Sequence, residues 1–115
     1  MVGELQVKSF ESPDETVTFD NGQAKSVQFG DGTFWLYRLD PGWKFSRDNA
    51  PELETENCPS PHRWYMLDGK MTVEMDNGTR ETLEGGDVAL IPPGHDAWTV
   101  GDEQVVAFEE EVSEQ

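Results

Sequence analysis

Turn-forming residues recur along this chain at intervals that are too short for helices of ordinary length. Groups of Gly, Pro, Asn and Asp occur at residues 20–22, 30–32, 40–42, 68–69, 76–78, 85–86 and 92–94. No segment between them carries a sustained 3.6-residue hydrophobic period, so we expect little helix. Many short strands separated by such turns are typical of a β-sandwich or a β-barrel. The sequence therefore predicts an all-β fold.

Eight β-prone runs lie between these turns. They are Ala24–Phe29, Thr33–Leu39, Arg63–Leu67, Met71–Met75, Arg80–Leu83, Asp87–Ile91, Ala97–Val100 and Gln104–Glu109. The Asp68-Gly69 pair suits a two-residue turn with positive φ, which predicts a tight hairpin between the runs on either side. We interpret the acidic end, Glu109–Glu111 with Glu114, as a solvated tail.

The chain is long enough for one domain, which we place at residues 1–115. Its 24 acidic and 8 basic residues give a net charge of −16. So negative a field argues against nucleic acids and anionic membranes as partners. We expect neither a membrane span nor a secretion signal, and therefore a cytoplasmic location. The acidity has two readings that both stay open, solubility alone or a halophilic adaptation to high salt.

One long connection, residues 41–61, separates two of the predicted strands. It contains four prolines and no convincing strand, and a loop of this length is usually functional or flexible. Half of the basic residues lie in or beside it, namely Arg38, Lys44, Arg47 and Arg63. They either form an anion-binding mouth or balance the acids nearby, and the second reading is favoured because charge runs are mostly solvated faces.

The side chains that could ligate a metal are few. They include His62, His95 and the single cysteine, Cys58, which excludes a disulfide framework. In an extended segment Glu56, Cys58 and His62 would face the same side. Imidazole, thiolate and carboxylate are the usual ligands of zinc and first-row transition metals. The alternatives are a cysteine that packs as a small buried hydrophobe, and histidines that serve as hydrogen-bonded structural groups.

Tryptophans lie close in sequence to these candidates. Trp64 follows His62 by two residues, Trp98 follows His95 by three, and Trp43 lies in the long connection. Aromatic walls with a few polar groups are typical of small-molecule sites. We predict a pocket that includes Trp43, Trp64 and Trp98, and the alternative is an ordinary barrel core.

The second half of the chain resembles the cupin superfamily. The resemblance is carried by residues 69–78 and by residues 86–95, where Gly86, Pro92 and Gly94 fit the second cupin motif, G-x5-P-x-G-x2-H. Gly69 matches the glycine of the first motif, H-x-H-x3-4-E-x6-G, and His62 stands seven residues before it. The resemblance covers residues 40–110, and the PPGHDAW stretch is similar to small single-domain cupins of unassigned function. It implies a double-stranded β-helix, or jelly-roll barrel, which commonly pairs as a homodimer.

The resemblance also implies a metal site whose ligands are changed. At the four ligand positions of typical cupins this chain has Glu56, Cys58, His62 and Ala97, and His95 stands two residues before Ala97. Because two residues make one strand repeat, His95 would face the same side as Ala97. We predict a divalent metal (Zn, Fe, Mn or Ni) held by Cys58, His62 and His95, with Glu56 as an additional ligand or base. A relic pocket without metal is the alternative.

Three functions follow from this reading. The first is binding of a divalent metal, with room for a small organic ligand, in the barrel mouth. The second is a metal-dependent enzyme of the oxygenase or isomerase type acting on a small molecule, for which the sequence names no catalytic residues. The third is a structural subunit with an empty barrel.

Overall fold

Nine strands and one single-turn helix are found in the described part of the chain. The computed structural model describes residues 4–30, 32–49 and 61–112. The strands are β1 (Glu15–Phe19), β2 (Gly22–Phe29), β3 (Gly32–Leu39), β4 (His62–Asp68), β5 (Lys70–Met75), β6 (Arg80–Glu84), β7 (Val88–Ile91), β8 (His95–Thr99) and β9 (Val105–Val112), and the helix is α1 (Phe45–Asp48). Within the described residues, no helix has the length and apolar character needed to cross a membrane.

The strands form two antiparallel sheets. The larger sheet has the order β1-β2-β3-β9-β4-β7, and the smaller has the order β6-β5-β8. All eight predicted strands are present, and β1 is an addition that the sequence did not predict. The all-β jelly-roll prediction is therefore confirmed.

The predicted hairpin at Asp68-Gly69 is wrong. Strand β4 pairs with β7 and β9, whereas β5 pairs with β6 and β8, so the chain passes from one sheet to the other at this turn. Gly69 has a φ of +80°, and a Cβ there would lie 2.6 Å from the carbonyl oxygen of Gln104. The crossing therefore requires glycine both for its backbone angle and for its lack of a side chain.

Alternation along the strands divides the residues between the interior and the outside. The centre of the core consists of aliphatic and thioether side chains from both sheets, and all of them are at most 2% exposed: Leu39, Met66, Met71, Val105 and Ala107. On β9 the inward positions are therefore the odd-numbered residues, beginning with Val105.

Helix α1 starts the long connection and is held by one buried carboxylate. Asp48 is 6% exposed and accepts hydrogen bonds from the Lys44 amide, the Asn21 side chain and the Arg47 guanidinium. The Arg47 guanidinium holds the pKa of Asp48 below its ordinary value against the opposing effect of burial, and the Lys44 and Asn21 hydrogen bonds add to the lowering. Lys44 also lies 3.9 Å from a carboxylate oxygen of Asp96. Arg47 thus balances a nearby acid, as the charge-balance interpretation expects, whereas the acid next to Lys44 lies outside the long connection.

Candidate functional site

A cavity of about 320 Å³ lies inside the barrel. Its lining comes from both sheets and from the segment that carries α1. Most of the lining is aromatic or aliphatic, and the described residues that form it include no Lys, Arg, Asp or Glu. The polar side chains in the lining are two imidazoles, His62 and His95, with Thr18 and Asn49. A cavity of this kind favours an apolar molecule that is held by a few polar contacts.

The two histidines lie side by side in this lining. His62 is the first residue of β4 in the larger sheet, and His95 is the first residue of β8 in the smaller sheet. Their ring centroids are 5.3 Å apart with an interplanar angle of 71°. His95 is only 4% exposed, so its side chain turns inward. The fold therefore brings together two imidazoles that are 33 residues apart in the sequence.

An oxygen atom faces Nδ1 of each imidazole ring. In His95, Nδ1 lies 2.7 Å from the carbonyl oxygen of Pro92. In His62, Nδ1 contacts the Oε2 atom of Glu109. Carbonyl and carboxylate oxygens accept hydrogen bonds, so Nδ1 donates and the lone pair of the neutral ring lies on Nε2. Histidines that bind metals show this arrangement, with the second ring nitrogen donating to a carboxylate or a carbonyl group.

Glu109 is a buried acid next to His62. Its side chain is 4% exposed, and its Oε1 atom accepts a hydrogen bond of 2.6 Å from the Tyr37 hydroxyl. The interpretation of Glu109–Glu111 as a solvated tail is therefore wrong, since all three residues belong to β9 and Glu109 is also buried. Glu109 occupies an inward position of β9, at even spacing from Val105 and Ala107, and this spacing was the signal in the sequence that could have found it.

Aromatic rings continue from the histidines along the cavity. The edge of the His62 ring meets Trp64 at 5.6 Å between centroids, and Trp64 stacks on Tyr37 at 4.6 Å. Tyr37 in turn stacks on Trp35 at 6.1 Å. Trp35 and Tyr37 occupy alternate positions of β3, and Trp64 occupies an inward position of β4, so all three rings reach the same interior.

Two of the three predicted pocket tryptophans line the cavity, namely Trp43 and Trp64. The third requires a correction, because Trp98 lies on the opposite face of β8 from His95. A spacing of three residues along a strand reverses the direction of the side chain. Two cations instead lie near the Trp98 ring, with the Lys44 Nζ atom 5.1 Å and the Arg80 guanidinium 5.3 Å from its centroid.

The remaining predicted ligands, Cys58 and Glu56, lie outside the described residues. Among residues 4–30, 32–49 and 61–112, no group of three or more His, Cys, Asp or Glu side chains is arranged to hold a metal ion. The described part of the site therefore offers two imidazole ligands, and the donor chemistry of this pair fits zinc or a first-row transition metal.

No family model matches the sequence, and no curated protein matches it either. Solved structures do match the fold. Oxalate decarboxylase from Lactobacillus farciminis, in a formate complex, is 18% identical with a TM-score of 0.64 over 86% of this chain, and this chain spans 31% of that chain's length.

Smaller proteins match over most of their length. A cupin-like protein from Thermotoga maritima is 16% identical with a TM-score of 0.61, and the match covers 91% of this chain and 81% of that chain. A cupin superfamily protein from Desulfitobacterium hafniense is 13% identical with a TM-score of 0.59, and the match covers 94% and 84%. Together with the two-sheet topology, these likenesses show that the chain has the fold of a small cupin domain.

Proposed function

We propose that this protein binds a divalent metal ion at His62 and His95, next to a cavity that takes a small organic molecule. The observation that carries the proposal is the orientation of the two rings, each with an oxygen atom facing Nδ1. Such partners fix the tautomer that has its lone pair on Nε2, and this is the tautomer found in metal-binding histidines whose Nδ1 donates to an oxygen. Both rings also border the cavity, so a bound metal would adjoin the organic ligand.

Two imidazoles alone leave a metal site incomplete. Cys58 and Glu56 are the sequence-based proposals for the further ligands, and both come shortly before β4, which begins at His62. A set of imidazole, thiolate and carboxylate ligands suits Zn, Fe, Mn or Ni. Glu109 and Tyr37 would not bind the metal themselves. Glu109 orients the His62 ring through its contact with Nδ1, and the Tyr37 hydroxyl orients Glu109 through its hydrogen bond. When bound, the metal would supply Lewis-acid chemistry.

Decarboxylation of oxalate, the activity named for one structural neighbour, does not suit this cavity. Oxalate is a small dianion, and the described lining residues include no Lys or Arg to pair with it. The counter-charge for oxalate would therefore have to come from the bound metal alone. The net charge of −16 also repels dianions at long range.

A metal-dependent enzyme of the oxygenase or isomerase type is the alternative, and it would use the same histidine pair. Turnover of small aromatic substrates by the metal-loaded protein would favour the enzyme. Metal binding without turnover would favour a binding module.

The proposal is tested by measuring the metal content of the purified protein. We expect stoichiometric metal in the wild type and strongly reduced metal in His62→Ala and in His95→Ala. The matched control is Arg63→Ala, since Arg63 adjoins His62 on β4 but is exposed. If the wild type stays substoichiometric after addition of Zn²⁺, Fe²⁺, Mn²⁺ and Ni²⁺ in turn, the proposal is wrong.

A further inference from the structure

The aromatic part of the cavity lining is a surface built on three rings that stack on one another. Trp35, Tyr37 and Trp64 are nearly parallel, with interplanar angles of 26° and 30° between neighbours. Phe19, Trp43 and Phe45 add further rings to the lining. A planar ring that entered the cavity could stack on such rings or meet their edges, and both geometries are favourable between aromatic groups.

The polar atoms of this aromatic surface are already bonded within the protein. The indole N–H groups of three lining tryptophans each donate a hydrogen bond, and the pairs are Trp35 to Glu111 at 2.7 Å, Trp43 to Asn49 at 2.7 Å and Trp64 to Met66 at 3.3 Å. The Tyr37 hydroxyl donates to Glu109. The aromatic surface therefore offers a ligand mainly carbon atoms, and the imidazoles of His62 and His95 are the polar rings of the lining, besides the side chains of Thr18 and Asn49.

The rest of the lining sets the size of the ligand. Ala24 and Ala97 are small, and Leu39, Met71 and Ile91 are aliphatic, so this part of the lining offers no polar side-chain groups. The cavity volume of about 320 Å³ lies at the lower end of the roughly 300–1,000 Å³ that is common for ligand pockets. A ligand with one or two rings is of suitable size.

We infer that the organic ligand is a planar aromatic molecule that carries its oxygen function at one end, directed at His62 and His95. Sugars and other polyols are disfavoured, because most of their hydroxyl groups would meet carbon and lose hydrogen bonds to water. This inference rests on the cavity being the ligand site of the proposed function, and it does not require the metal.

The inference is tested by calorimetry with three probes, on metal-stripped and on Zn²⁺-loaded protein. The probes are 2-naphthol, its saturated counterpart decahydro-2-naphthol, and glucose. We expect 2-naphthol to bind the metal-stripped protein about tenfold more tightly than the saturated alcohol, since aromatic contacts add to burial of area. We expect no detectable binding of glucose at the same concentrations.

Two tryptophan variants locate the binding. Trp35→Leu removes a ring from the cavity and should weaken 2-naphthol binding about tenfold, whereas Trp98→Leu removes a ring outside the cavity and should leave binding unchanged. Ala97→Leu fills the cavity without removing a ring, so it should also weaken 2-naphthol binding. This variant replaces Trp35→Leu in the test if Trp35→Leu fails to fold. Urea unfolding of each variant verifies its fold.

Three outcomes would overturn the inference. They are no binding of 2-naphthol to either form of the wild type, equal affinity for the saturated alcohol, and an equal loss in Trp35→Leu and Trp98→Leu. The proposed metal site fails by a different measurement. If the protein takes up no metal but binds 2-naphthol with the expected preference, the inference holds and the metal proposal is wrong.

Discussion

Replacing Glu109 with glutamine would test whether the buried carboxylate sets the tautomer of His62. In the structure His62 Nδ1 contacts one carboxylate oxygen and the Tyr37 hydroxyl donates to the other. An amide has one oxygen and one NH₂ group. If the amide oxygen stays with Tyr37, the NH₂ group faces Nδ1, the ring proton moves to Nε2 and the lone pair leaves the atom that would bind the metal. In the opposite orientation a neutral acceptor replaces a charged one.

Both orientations should weaken metal binding. Loss of such a supporting partner typically lowers metal affinity about 10- to 100-fold, which corresponds to about 1.4–2.8 kcal/mol. The side-chain volume hardly changes and one hydrogen bond is kept, so the free energy of unfolding should fall by at most about 3 kcal/mol. Glu109→Gln should therefore stay folded while its metal affinity falls.

The assay is competition with a chromophoric chelator for Zn²⁺ at pH 7, with urea unfolding as the check on folding. Glu111→Gln is the matched control. It lies two residues further along β9, and its carboxylate also accepts a ring N–H, from Trp35 at 2.7 Å, but it is exposed. Wild-type affinity in Glu109→Gln, or an equal loss in Glu111→Gln, would refute the reasoning.

Three further predictions concern stability and assembly. Asp48→Asn should lower the free energy of unfolding, measured in urea, by about 1–3 kcal/mol at pH 7. The pKa of Asp48 in the folded protein lies below its ordinary value of 3.8, so the difference between wild type and variant should shrink as the pH falls below that value. Gly69→Ala should lower the free energy of unfolding by about 3 kcal/mol, measured by thermal unfolding. The control is Gly101→Ala, which should lower it by about 1 kcal/mol, because Gly101 has a φ of +86° but open space around it. The cupin resemblance leads us to expect a homodimer, and its interface would use the apolar edge strand β7, where Leu90 is 76% exposed. Leu90→Asp should then be monomeric in light scattering. A monomeric wild type would contradict the expectation.

The strands could be predicted from the sequence because turn chemistry is local. The pairing of the strands could not, since the Asp68-Gly69 turn has the composition of a hairpin turn but connects two sheets. Strand β9 pairs with β4, and its first residue lies against Gly69. These contacts favour a crossing between the sheets over a hairpin of β4 with β5. Strand β1 was missed for a different reason. It is an edge strand whose residues are mostly exposed, but its sequence, ETVTF, alternates threonines with Val17 and Phe19, and this alternation was a strand signal that was overlooked.

The site was partly accessible from the sequence. The two-residue strand repeat correctly indicated that His95 shares a face with Ala97, and both line the cavity. Glu109 was missed because its burial depends on Tyr37 and His62, which precede it by 72 and 47 residues. The even spacing from Val105 and Ala107 indicates that Glu109 points inward, but no local pattern identifies these two partners. Trp98 was predicted to line the pocket because it is near His95 in the sequence. The odd spacing of three residues between them should have excluded it from the pocket.

The position of β9 has a consequence for how the molecule is made. This strand follows all the other described strands in the sequence, yet it lies between β3 and β4 in the larger sheet. Gly32 pairs with Val112 and Leu39 with Val105, so these contacts close loops across most of the chain, and contacts of this kind form slowly. In a chain emerging from the ribosome, β3 and β4 therefore lack the strand that joins them until β9 is synthesised. Because β9 also brings Glu109, His62 acquires its supporting carboxylate only once β9 is synthesised, and a nascent chain cannot hold the mature site beforehand.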